Sequence, residues 1–128
     1  MSSNLPYVQS YKSLTSYRHA IDLADQIFQM SLKFPKEETY SLTDQIRRSS
    51  RSIGAQIAES WGKRRYVKHF ISKLTDAYAE AYETEHWVYI AYQCNYISKV
   101  KYQDLSQKCS DIFHLLGGMI TKADKFCD

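Results

Sequence analysis

The sequence predicts an all-α fold, an antiparallel up-down-up-down four-helix bundle, and three observations carry that expectation. Chain breakers are scarce, with four Gly and two Pro in 128 residues, too few for the frequent turns of a β sandwich or barrel. Apolar residues recur every three or four positions over four long runs, the period of a one-faced helix. Short connections separate those runs, which makes consecutive helices antiparallel neighbours. Composition agrees, since 44% hydrophobic and 24% charged residues are globular values. A chain of this length forms one domain and buries about two-thirds of its unfolded surface. We expect residues 1–13 to be a flexible polar lead-in and residues 14–128 to form the bundle.

The first helix is expected from about Ser16 to Lys33, on Tyr17, Ala20/Ile21, Ala24, Ile27/Phe28, Ser31 and Phe34. Pro35 ends it, because proline lacks an amide and restricts the residue before it. The second opens on Ser41-Leu-Thr-Asp44, a capping-box-like start with Asp in place of Glu. Its stripe is Leu42, Ile46, Ser50, Ile53, Ile57 and Trp61, and Gly62 suits the position just past its end. Small residues at Ser49, Ser50 and Gly54 read either as a close approach of another backbone or as simple tolerance. The third runs from about Tyr66 to Asn95, with Phe70, Leu74, Ala77, Ala81, Val88 and Ala91 on one face. A second face carries Tyr78, Tyr82, Tyr89, Tyr92 and Tyr96, with Trp87 nearby. A helix apolar on more than one side is covered on more than one side, and the second cover expected here is another subunit. The fourth runs from about Lys101 to Phe126 on the seam Tyr102, Leu105, Cys109, Ile112, Leu116, Met119, Ala123 and Phe126. Gly117-Gly118 interrupts that seam and calls for either a close helix crossing or a kink.

Charge is unevenly spread. The net charge is only +3, yet residues 45–73 hold eight Lys and Arg against one acid, Glu59. Such asymmetry bears on partners rather than on fold. Three cysteines without CxxC spacing (Cys94, Cys109, Cys127) fit reduced thiols in a cytosol better than disulfides or a zinc site. The N-terminus has no apolar core of signal-peptide length, and no apolar run reaches membrane-spanning length. A cytoplasmic protein is expected, with no membrane partner and no cofactor.

Two basic clusters are candidate sites. Arg47, Arg48 and Arg51 lie one turn apart on the second helix. They read either as phosphate contacts through Arg48 and Arg51, or as salt bridges to third-helix acids, within the chain or between subunits. Lys63, Arg64, Arg65 and Lys68 follow the second helix and crowd the start of the third, with no acid among them. There the helix dipole adds to their positive potential, and Tyr66 and His69 stand beside them for stacking. The readings are a nucleic-acid contact or a solvated turn. Catalysis is not expected. Glu83-x-x-His86 and Asp111-x-x-His114 have di-iron spacing, but both histidines sit about 200° from inward neighbours, and the first helix has no Glu. No phosphate loop or nucleophile motif appears.

Several segments, in order, resemble a known family. They are Phe34-Pro-Lys-Glu-Glu38, Tyr40-x-Leu42-x-x-Gln45-Ile-Arg-Arg48, Ser52-Ile53 and Ile57-Ala58-Glu59. Gly62-Lys-Arg-Arg65, the run from Phe70 to Leu74, Glu83 with Glu85, and Asn95-Tyr96-Ile97 continue the pattern. The family is that of four-helix-bundle proteins encoded in intervening sequences of bacterial 23S rRNA genes, related to accessory variability proteins of diversity-generating retroelements. The resemblance spans about residues 11 to 126. Tyr17, Gly54-Ala55-Gln56 and Ser60 depart from the family's usual Trp, Pro-x-Asn and Gly. The resemblance implies a homopentamer of antiparallel bundles without known catalysis. For the retroelement relatives it implies a reverse transcriptase partner and RNA or DNA bound through a basic surface. It also implies ion pairs between Arg47-Arg48 and the carboxylates Glu83 and Glu85. The expected nucleic-acid residues are therefore Lys63, Arg64, Arg65, Lys68, Arg48 and Arg51. The expected subunit interface is Tyr78, Tyr82, Trp87, Tyr89 and Tyr92.

Overall fold

Helix boundaries follow from local chemistry. In the computed structural model, which describes residues 10–128, four helices form: α1 (Thr15–Ser31), α2 (Leu42–Gly62), α3 (Val67–Gln93) and α4 (Lys99–Thr121). Single 3-10 turns sit at Tyr11–Ser13, Lys36–Glu38 and Ala123–Lys125. Regular structure is present within the expected lead-in. Ser10 caps the first turn by accepting from the Lys12 amide at 3.1 Å, and Tyr11 packs edge-on to Tyr17 with centroids 4.9 Å apart. Residues 1–9 of the expected lead-in lie outside the described part. Ser98 starts α4 by accepting from the Lys101 amide at 3.1 Å, one of the orphan donors of a helix start.

Two expected ends differ. Ser41 makes no capping bond, because its backbone (φ −127°, ψ −107°) is not in the extended conformation a cap needs. Glu38 acts instead: its Oε1 accepts from the Leu42 amide at 3.3 Å, and its Oε2 accepts from the Tyr96 hydroxyl at 2.8 Å. Gly62 is the last residue of α2 rather than the residue past it, and no described glycine has positive φ. The left-handed closure lies at the end of α3, where Asn95 has φ 61°. There the Tyr96 amide donates to Ala91 O at 2.9 Å and the Asn95 amide to Tyr92 O at 3.0 Å, a Schellman closure.

Contacts between helices set the topology. Ser31 meets Arg47 while Tyr17 and Ala20 approach Gly54, so α1 and α2 run antiparallel. Lys73 bonds Glu59 while Thr84 bonds Ser49, so α2 and α3 do too. Phe113 meets Tyr82 and Tyr102 meets Tyr92 between α3 and α4, and Met119 meets Ser16 while Lys108 meets Asp22 between α4 and α1. The four helices thus alternate in direction around a square. Between them lies one core in which Leu23, Ile27, Ile46, Ile53, Ile57, Phe70, Leu74, Val88, Leu105, Ile112 and Leu116 are wholly buried. Leu23, absent from the expected stripe, is part of it, whereas Ile21 is 48% exposed. A Cβ on Gly54 would meet Ile21 Cδ1 and Tyr17 Cε1 at 3.5 Å, ordinary contact, and one on Gly117 or Gly118 would meet nothing within 4 Å. No close crossing therefore explains the paired glycines. Among the described residues, no helix is long and apolar enough to cross a membrane.

Candidate nucleic-acid interface

The turn between α2 and α3 is short because the chain reverses within Lys63–Tyr66, where the Tyr66 amide donates to Lys63 O at 3.3 Å. Tyr66 is extended and caps α3 without a side-chain bond, and the first turn of α3 has no acid. The free amides of that turn add positive potential to the cations around them. Lys63, Arg65 and Lys68 are exposed and form no ion pair with any described acid. Arg64 differs from them. Its guanidinium lies 3.6 Å from the Trp61 ring centroid, its Nε donates to Trp61 O at 2.9 Å, and a terminal nitrogen lies 4.0 Å from the Asp128 carboxylate. This arginine pins the chain end to the turn, and its side chain is only 21% exposed.

The same end of the bundle gathers further cations that the sequence reading missed. The 3-10 turn at Ala123–Lys125 packs on α3 and the one at Tyr11–Ser13 on α1 and α2. Exposed Lys12, Lys122 and Lys125 therefore join Lys63, Arg65 and Lys68 at one pole. The signal was available: in an up-down bundle, the start of α1 and the end of α4 share the pole of the α2–α3 turn.

Arg47, Arg48 and Arg51 lie apart from this pole. Twelve residues separate Arg51 from Lys63, about 18 Å along a helix. Arg47 Nε donates to Ser31 Oγ at 2.7 Å, and the Arg47 and Arg51 guanidinium groups stand 4.6 and 5.3 Å from the Phe28 ring of α1. Arg48 is exposed and lines a shallow groove with Thr39, Thr43, Asp44, Arg47 and Arg51. The expected ion pairs of Arg47 and Arg48 with Glu83 and Glu85 do not form within the chain. Phase is the reason: Arg47 faces α1, while Glu83 Oε2 accepts from Trp87 Nε1 at 3.0 Å on α3. The cation that serves both helices is Lys73, 3.2 Å from Glu59 and 3.4 Å from Asp76. Its hydrogen bond to Glu59, aided by Asp76, holds its ammonium pKa above the ordinary lysine value.

The aromatic face of α3 has a partial cover in its own chain. Phe113 of α4 lies 5.1 Å from the Tyr78 ring and 4.3 Å from Tyr82, and Tyr102 lies 4.6 Å from Tyr92 and 6.1 Å from Tyr89. The expectation that only a second subunit covers this face is corrected to that extent. Tyr82 and Tyr89 remain 54% and 45% exposed. Trp87 does not belong to this ladder, since it sits about 140° around the helix from Tyr82, packed on His86. Tyr96 is committed to Glu38. His86 and His114 are exposed, as their phase requires. Burial pushes the Cys109 thiol up to about 12 and raises Cys127 too, which leaves both thiols un-ionised at neutral pH.

The sequence model of the 23S rRNA-intervening sequence protein family matches residues 12–118. Among solved structures, the fold is similar to that of a protein with unknown function from the S23 ribosomal protein family of Bacteroides thetaiotaomicron VPI-5482. The two share 28% identity with a TM-score of 0.74, over 83% of this chain and 95% of that one. No curated protein matches.

Proposed function

Because the chain belongs to the 23S rRNA-intervening sequence protein family, we propose that it is a non-catalytic accessory protein that binds RNA or DNA through its basic pole. The observation that carries this reading is the convergence of Lys63, Arg65 and Lys68 with Lys12, Lys122 and Lys125, all exposed. Cations held in ion pairs would serve stability. Cations exposed at one pole attract phosphate and gain affinity through counterion release. The reading includes a cytoplasmic setting and self-association into a homopentamer, which would repeat the pole five times and make binding multivalent. A reverse transcriptase is the protein partner this reading would add.

A second reading has its own observation. Tyr82 and Tyr89 expose the outer side of an aromatic ladder, which suits a scaffold that binds a protein partner. Light scattering with and without a structured RNA, at low and high salt, separates the two. Nucleic-acid binding predicts an added RNA mass at low salt that is lost at high salt. Charge reversal of Lys63, Arg65 and Lys68 to Glu should abolish it, while Arg64→Glu should chiefly destabilise the fold. Unchanged RNA uptake in the triple variant would reject the basic pole as the binding surface.

A further inference from the structure

Between Arg65 and Lys68 the basic pole is aromatic rather than polar. Tyr66 is 56% exposed, Val67 is 40% exposed and His69 is exposed beside them. The Tyr66 and His69 rings meet edge to face with centroids 5.2 Å apart, and the Arg65 guanidinium stands 5.8 Å from the Tyr66 ring. Together with Lys68 these side chains line one open surface depression. A solvated, solubilising turn has no use for three adjacent exposed apolar or aromatic side chains. Nor do they serve the core, because α3 begins its inward stripe only at Phe70, which is wholly buried.

Duplex and single-stranded nucleic acids use such a surface differently. A duplex offers phosphates to the cations, but its base faces are stacked inside the helix and cannot reach a protein ring. An unpaired base offers a π face, and aromatic platforms set in a cationic groove hold it by stacking. We infer that the cluster of Arg65, Tyr66, Lys68 and His69 is a stacking site for unpaired nucleotides, so that the preferred ligand is single-stranded nucleic acid or a looped-out base. This inference rests on the basic pole binding nucleic acid and adds which nucleic acid it takes. Tyr66 supplies the platform, His69 holds its ring by the edge, and Arg65 and Lys68 neutralise the flanking phosphates.

The test is fluorescence anisotropy with a labelled oligouridylate and a blunt, fully paired RNA duplex of equal length, over a salt series. Tyr66→Ala should weaken oligouridylate binding about tenfold, leave duplex binding unchanged and leave the salt slope intact, since it removes no cation. Tyr66→Phe keeps the ring and should bind as the parent does. Lys63→Glu with Lys68→Glu should weaken both probes and flatten the salt slope. Circular dichroism confirms that each variant folds, and His69→Ala provides a second perturbation of the platform if Tyr66→Ala does not fold. If Tyr66→Ala (or His69→Ala in its place) leaves oligouridylate binding unchanged, or weakens both probes equally, the stacking site is overturned while the basic pole stands. If the parent protein binds neither probe, both readings fall.

Discussion

Gly117 lowers the helix propensity of α4 without any packing that requires it. An added Cβ meets nothing within 4 Å, and the helix runs unbroken through Thr121. Alanine there should stabilise the protein by about 1 kcal/mol, the ordinary difference between the two residues in a helix interior. Gly54→Ala should be neutral to stabilising by a similar amount, because its new contacts with Ile21 and Tyr17 at 3.5 Å are normal. Urea melts of both variants check this, and a loss at Gly54 would restore the close-approach reading of α2. At this scale the sequence is legible wherever one residue type dominates a phase. Ile46, Ile53 and Ile57 stand alone on their stripe and are all buried. Leu23 was missed because Ile21 and Ala24 flank it, so that three apolar residues compete for the inward phase. Burial of Leu23 against exposure of Ile21 is decided by where α2 and α4 lie, which local pattern does not encode. The basic residues show the same limit, since spacing places Arg64 among the phosphate-binding cations and does not name the partners of Arg47 or Lys73. Only the fold reveals that Ser31 and Phe28, Trp61 and Asp128, and Glu59 and Asp76 occupy them.

Between elements, Glu38 ties two connections together. It caps α2 through the Leu42 amide and receives the Tyr96 hydroxyl from the chain just past α3. Asn95 makes this reach feasible, because its left-handed turn redirects the chain directly after the helix. The motif at Ser41 was legible as a helix start, and the start is correct to the residue. The cap itself comes from Glu38 rather than Ser41, because Ser-x-x-Asp spacing says nothing about the backbone of Ser41. The hydrogen bond to Glu38, then burial and the Glu38 charge, push the Tyr96 phenol from 10.0 up to about 12. The folded state therefore holds this proton more tightly than the unfolded chain does. The stability it contributes is full below about pH 10 and is lost as pH rises towards 12. Tyr96→Phe should lower the melting temperature by a few degrees at neutral pH, and its deficit relative to the parent should shrink above pH 10. Because Cys109 also titrates high, the comparison is between parent and variant at each pH rather than along one curve. A deficit that stays constant to pH 11.5 would show that the hydroxyl's bond to Glu38 does not supply it.

The whole molecule is polar in two senses, and each has a separate experiment. Along the bundle axis, the cations of Lys12, Lys63, Arg65, Lys68, Lys122 and Lys125 gather at one pole. Around the axis, the α3–α4 side carries the tyrosine ladder, whose inner half packs on Phe113 and Tyr102 and whose outer half is open at Tyr82 and Tyr89. If that open half is the subunit interface of the proposed pentamer, a charge placed there would be desolvated on assembly at a cost that breaks it. Tyr82 and Tyr89 lie outside the buried core, so Tyr82→Lys and Tyr89→Lys should each leave helix content intact, although Tyr82→Lys also gives up the ring contact with Phe113. Each should also reduce the mass measured by light scattering from that of an assembly to that of a monomer. Arg47→Ala serves as the contrast, because it removes a contact to Ser31 and Phe28 that lies within the chain. It should lower the melting temperature without changing the mass. An assembly that survives both lysine variants would move the interface off the tyrosine ladder. A monomeric parent would remove multivalency from the proposed function and leave a single basic pole to account for any RNA bound.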